Sequence, residues 1–138
     1  MNALVAVELD QETDSQLVSK AIDLTKNIKA NLHILHVIEP IYTYGITPPL
    51  FVDPKQYKDQ VAKIMSDLGS KFNISKEFQY LKVGQVDEVI AHMVKAIDAN
   101  LLVMGNHGRH GFNALFNSNH TTNLVKNMEC DMLAVRVA

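Results

Sequence analysis

The chain of 138 residues carries one cysteine, Cys130, so no intrachain disulfide framework braces it. Charge of either sign is scarce in excess: the formal net charge is −2, and charged residues make up 20% of the chain. That balance offers no basic footprint for nucleic acid or an anionic membrane surface, and neither partner is expected. No apolar run approaches the length that spans a bilayer, so no membrane segment is expected. The opening MNALVAVELD lacks a basic segment followed by a cleavage site and enters a strand pattern at once. It does not read as a signal peptide, and a cytoplasmic location is expected. There is no Gly-Lys-Ser/Thr of a Walker loop, no dinucleotide fingerprint, no Gly-x-Ser-x-Gly elbow and no kinase signature.

What remains is an ordinary globular composition, 47% apolar, in a length that suits a single domain over residues 1–138. Ala3 to Leu9 and Asn31 to Ile38 are short apolar runs of the kind covered on both faces in a parallel sheet. Between them Leu17, Val18, Ala21, Ile22, Leu24 and Ile28 fall at helical spacing, with Thr13 or Asp14 as candidate cap. All four prolines lie within residues 40–54, in a loop rich in aromatics. That loop either folds over its own aromatics or acts as a flap beside a ligand site. A helix follows from Lys55 to about Lys71, with Gly69 as its stop signal. Ser75 to Val83 alternates and predicts an edge strand. Val86 to Ile97 predicts a helix, Asn100 to Gly105 a buried strand, Asn119 to Asn127 a helix, and Asp131 to Ala138 a last strand. Alternating strands and helices predict an α/β fold, a doubly wound, mainly parallel five-stranded sheet with helices on both faces.

In such a sheet, ligands bind beyond the carboxyl ends of the strands where the strand order reverses. The residues to watch are therefore Glu8, Leu9 and Asp10, then His36, Val37 and Ile38, then Met104 to Gly108. The stretch MGNHGRHG places Gly105, Gly108 and Gly111 in one loop, where backbone N–H groups can approach an anion closely. Arg109 supplies charge, and Asn119 and Thr121 offer hydrogen-bond donors.

LVAVEL, LHILHVI, VGQVDEVIAHMVKAIDANLLVMGNHGRHG and NLVKNMECDMLAVRV together resemble the universal stress protein family in order and spacing, over essentially the whole chain. The resemblance implies the fold just described (the adenine nucleotide alpha hydrolase-like type), a homodimer formed through the last strand, Met132 to Val137, and a role in the stress response. It also implies a choice between an ATP-binding branch and a branch that does not bind ATP. The nucleotide-binding loop of the family has a glycine, two residues, a glycine, nine residues, then glycine and serine or threonine. Gly105 and Gly108 match its first two glycines, while Ser118 and Asn119 stand where the closing pair is expected. The family's nucleoside-contacting aspartate is matched by Glu8, its adenine-side aliphatic residue by Val37, and the residue before its loop by Met104. Glu8, Val37, Met104, Gly105, Gly108, Arg109, Ser118, Asn119 and His120 are thus the candidate site, for ATP or AMP with accompanying magnesium. The adenosine half looks retained and the phosphate half altered; Ser118 also suits a simple helix cap.

No other metal is expected from His107, His110 and His120, because no carboxylate or cysteine completes a recognisable ligand spacing. His33 and His36 are expected on one face of the second strand, as satisfied core or end-of-strand residues. Cys130 sits between Glu129 and Asp131, which would raise its pKa and argue for a structural thiol. The leading expectation is a dimeric binding or signalling module, and the alternative is slow nucleotide phosphohydrolysis, for which Glu8 and Asp10 are the only nearby carboxylates.

Overall fold

The structure, a computed structural model, describes residues 1–39, 54–108, 110–116 and 128–137. Its strands are β1 (Asn2–Ala6), β2 (Asn31–Ile38), β3 (Gln79–Val83), β4 (Leu101–Gly105) and β5 (Asp131–Val135). They form one sheet in the order β3-β2-β1-β4-β5, with every neighbouring pair parallel. The helices are α1 (Gln11–Thr25), α2 (Pro54–Lys71), α3 (Val86–Ala96) and α4 (Phe112–Phe116). After β1 the chain moves out to β2 and β3, then returns across β1 to add β4 and β5. The order reverses between β1 and β4, and the cleft at the carboxyl end of the sheet opens beside that point, over the ends of β1 and β2.

Because side chains alternate along a strand, the sheet builds a core on each face. One holds Leu4, Leu35, Leu102 and Met104 under Ile90, Met93 and Val94 of α3 and Leu115 of α4. The other holds Val5, Ile34 and Val103 under Leu17, Val18 and Ala21 of α1 and Met65 and Leu68 of α2. The expected doubly wound α/β architecture is therefore present, α1 and α2 on one face and α3 and α4 on the other. Burying each of these aliphatic side chains contributes about 1.5–3 kcal/mol, which anchors the strand ends that carry the site.

Several local expectations are corrected. The cap of α1 is Asp10, whose carboxylate accepts from the N–H groups of Glu12 and Thr13, and Asp14 lies inside the helix. The buried row of α1 runs through Asp14, Leu17, Val18, Ala21 and Thr25, which leaves Leu24 and Ile28 exposed. Thr25 Oγ1 donates back to Ala21 O at 2.7 Å, and the chain tightens into a 3₁₀ turn at Lys26–Ile28. α2 ends at Lys71 as expected, two residues beyond Gly69, where a Cβ would meet the side-chain amide of Gln79 on β3. Pro54 opens α2 rather than closing the preceding loop, a position where its missing N–H costs nothing. The edge strand is shorter than expected because Lys76–Phe78 forms a 3₁₀ turn before β3. The flap expected between residues 40 and 54 lies, but for Pro54, outside the described residues, as does the helix expected at Asn119 to Asn127.

Candidate functional site

The site begins with a turn that the sequence does not advertise. Leu9, just after β1, has φ +62°, a left-handed conformation that costs a residue with a Cβ about 1 kcal/mol or more. Asp14 over-determines it. Its carboxylate, 1% exposed on the inner row of α1, accepts from the Glu8 N–H at 2.9 Å and from the Leu9 N–H. Burial pushes the Asp14 carboxyl up to about 6, against the opposing pull of those two backbone donors. The effect is to aim the Glu8 side chain across the mouth of the crevice toward the loop after β4.

There Glu8 meets His110. The backbone N–H of His110 donates to Glu8 Oε1, and the imidazole Nδ1 lies 3.2 Å from Oε2. The other ring nitrogen, Nε2, accepts from the Val37 N–H at 3.1 Å, so it carries no proton and the ring proton sits on Nδ1, facing the carboxylate. His36 stacks on His110 with centroids 4.8 Å apart and an interplanar angle of 22°, and its Nδ1 donates to Val7 O at 2.8 Å. Burial pushes the Glu8 carboxyl up, yet the ring and backbone hydrogen bonds of His110 oppose that, and the carboxyl lies below its ordinary value. Burial lowers the pKa of His36, only partly offset by its bond to Val7.

Gly108 is the counterpart of Glu8. Its φ is +92°, and a Cβ placed there would lie 2.7 Å from Glu8 Oε1. Gly105 ends β4, where a Cβ would sit 3.2 Å from Cγ2 of Val137. Behind this group a cleft of about 340 Å³ is lined by Leu9, Val37, Ile38, Tyr57, Val61 and Ile64 on its apolar side. Glu8, His36, Glu39, Gln60 and His110 supply its polar side. A second cleft of about 570 Å³ lies between α1 and α2, but no residue of the β4 loop reaches it.

Of the sequence candidates, Glu8 and Val37 line the cleft and Gly108 backs the Glu8 carboxylate, while Gly105 lies at the end of β4 against Val137. Met104 does not line the cleft: it is fully buried among the α3-side core residues. Arg109, Ser118, Asn119 and His120 lie outside the described residues. Two members were missed as a pair, His36 near the end of β2 and His110 in the loop after β4; nothing in their spacing announces the stack. Asp14 was read as a cap, and its place on an otherwise apolar helical row was the available signal. His33 and His36 are also corrected: three positions apart on β2, they point to opposite faces. His33 lies against Tyr80, Phe78 and Asn2, its Nδ1 3.0 Å from the Tyr80 hydroxyl. Burial, with Asp131 assisting, raises the pKa of Cys130; Glu129 instead lies 3.9 Å from Lys95. Among the described residues, no three histidine, cysteine or acidic side chains are grouped to hold a metal ion, and no helix is long and apolar enough to cross a membrane.

Comparison with known proteins identifies the family and agrees with the fold. The model of the universal stress protein family matches residues 1–136. The Universal stress protein A homolog 2 of Coxiella burnetii is 36% identical over 97% of this chain and 93% of its own. Universal stress protein E of Escherichia coli K12 is 29% identical, and the chain spans 46% of it. A solved Pseudomonas aeruginosa chain superposes with a TM-score of 0.70 at 21% identity, covering 99% of this chain and 47% of that one. The chain therefore spans about half the length of some relatives. Two further structures share the fold: a universal stress protein in complex with cAMP, at TM-score 0.63, 15% identity and 98% and 96% coverage, and an Arabidopsis thaliana family member with AMP bound, at 0.55, 16% and 99% and 91%. The match across residues 1–136 and the 36% identity to a full-length homolog make this chain a member of the universal stress protein family.

Proposed function

We propose that this universal stress protein is a single-domain, cytoplasmic, dimeric binding or signalling module of the stress response, and that the cleft at the carboxyl ends of β1 and β2 beside His110 receives an adenosine-type ligand. The observation that carries the proposal is the cleft itself. It lies beyond the carboxyl ends of β1 and β2, against α2 and beside His110 of the loop after β4, has the volume of a small-ligand site, and joins an apolar wall at Val37, Ile38 and Val61 to a few polar groups. Two structural relatives hold cAMP and AMP, which supports the ligand class. Glu8 and Val37 stand where the family resemblance puts nucleoside-side positions, and Gly105 and Gly108 where it puts the first two glycines of the nucleotide loop; we assign them those roles here.

The apolar wall suits a flat base, and the polar groups suit a ribose. The triphosphate end fits less well. Glu8 is committed to His110 and Asp10 to the start of α1, so neither carboxylate is placed to hold magnesium or orient water. This supports binding over hydrolysis. Isothermal titration of the purified protein with adenosine, AMP and ATP tests the reading: saturable heat with at least one is expected, and no heat with any of them at millimolar concentration overturns it.

The dimer is assigned to the outer edge of β5. That strand ends the sheet on one side, and Ala134 is exposed along it. An unpaired edge of this kind pairs readily with a second copy.

A further inference from the structure

We infer that Glu8 is an internal anion seated against the glycine loop, and that it makes the cleft select an uncharged nucleoside over a phosphate-bearing nucleotide. The inference rests on the reading of the cleft as an adenosine-type site and goes further, to the charge of the ligand.

The geometry is specific about where the carboxylate sits. Its Oε1 occupies the space beside Cα of Gly108 that only a glycine leaves open, 2.7 Å from an ideal Cβ. The left-handed backbone at Gly108 turns the loop so that the next described N–H, that of His110, points at this oxygen rather than into the cleft. The imidazole of the same residue points its Nδ1 at Oε2 and is fixed in that orientation by the Val37 N–H behind it. A main-chain donor and a ring donor converging on an oxyanion beside a glycine is the arrangement that receives a phosphate or carboxylate group of a ligand. In this chain the anion is supplied from within, because the Asp14-stapled turn at Leu9 delivers the Glu8 side chain to it.

The rest of the lining agrees. The described residues around the cleft include two carboxylates, Glu8 and Glu39, and no lysine or arginine. A phosphate entering beside Glu8 meets a like charge in a half-buried setting and finds the His110 donors already engaged, whereas a neutral base and ribose bring no charge against the carboxylates. Glu8 is thus a specificity-determining residue: phosphate binding must displace it, and the displacement leaves a half-buried carboxylate without its partners.

The test compares wild type, Glu8→Gln and Glu8→Ala, with adenosine, AMP and inorganic pyrophosphate as probes, by titration calorimetry. Thermal melts confirm that each variant is folded. Wild type is expected to bind adenosine at least as tightly as AMP and to ignore pyrophosphate. Glu8→Ala is expected to shift the preference between AMP and adenosine toward AMP by about tenfold or more and to acquire pyrophosphate binding. Glu8→Gln, which keeps the acceptor for the His110 N–H and loses the charge, is expected to fall between. If neither folded variant shifts the preference toward AMP or gains pyrophosphate binding, or if wild type prefers AMP to adenosine by tenfold, the inference is overturned. If adenosine binds to no form while pyrophosphate binds to Glu8→Ala alone, the adenosine reading fails and the role of Glu8 stands.

Discussion

Glu8 and Gly108 share one space: the carboxylate of the first fills the position that a Cβ on the second would take, with Oε1 2.7 Å from it. The two residues are separated by the whole of β2, β3 and β4 in sequence and are brought together only by the return of the chain across β1. Gly108→Ala is expected to cost about 1–3 kcal/mol in denaturant unfolding, from the positive φ and the contact together. In a Glu8→Ala background the contact part disappears and the backbone part remains, so the cost should fall. A double-mutant cycle that is additive within error would count against the packing described here.

Asp14 gives the second prediction through pH. Its folded pKa, about 6, lies above the ordinary aspartate value of 3.8, so its favourable contribution is fully present below that ordinary value and is lost as pH rises through about 6. Asp14→Asn removes this dependence. Whatever constant offset the amide introduces, the stability of Asp14→Asn relative to wild type should decline as pH falls from 7 to 4. Parallel stability curves over that range would show that the carboxyl is not held as described.

His36 contributes with the opposite sign. Burial lowers its pKa, so its contribution is present above the ordinary histidine value of 6.5 and is lost as pH falls through the folded value. His33 behaves alike on the other face. His36→Phe keeps an aromatic ring against His110 but cannot be protonated, and it forfeits the bond to Val7 O, about 1 kcal/mol at neutral pH. The variant should therefore start lower at pH 7 and lose less stability on acidification. An acid-unfolding slope equal to that of wild type contradicts this.

These pH relationships show where the sequence was legible and where it was not. The apolar runs at Val5 and Ile34 and the helical stripe at Val86 to Val94 announce buried strands and a packed helix, because period and burial are local properties. The candidate positions after β1, β2 and β4 followed from topology alone, and Glu8, Val37 and Gly108 do meet. What the sequence hid was long-range pairing. His110 lies 73 positions from Val37 and 102 from Glu8, and no spacing rule reports such contacts. Gly69 hid a contact for the same reason: it reads as a helix stop, and nothing local reports that a Cβ there would meet Gln79 on a neighbouring strand.

The edge of β5 yields a prediction about assembly. Ala134 is exposed on a terminal strand whose neighbour on the inner side is β4. In a parallel ladder alternate residues direct their backbone groups to opposite edges, and Asp131 and Val135 bond toward β4 through Asn100 and Asn106. Ala134 therefore faces outward. Ala134→Pro removes its N–H and should shift the protein from dimer to monomer in light scattering at micromolar concentration, with the helical signal in circular dichroism retained. A wild type that is already monomeric there would refute the edge-to-edge dimer.

The central claim, that the cleft at the carboxyl ends of β1 and β2 binds the adenosine portion of a ligand, is tested most directly by titrating ¹⁵N-labelled protein with adenosine and following the backbone amides. The account predicts saturable shifts at Val37, Ile38 and His110, with the far edge of the sheet at Gln79 to Leu81 unmoved. Saturation at other residues, or no shift at Val37 and His110 with millimolar adenosine, would contradict it.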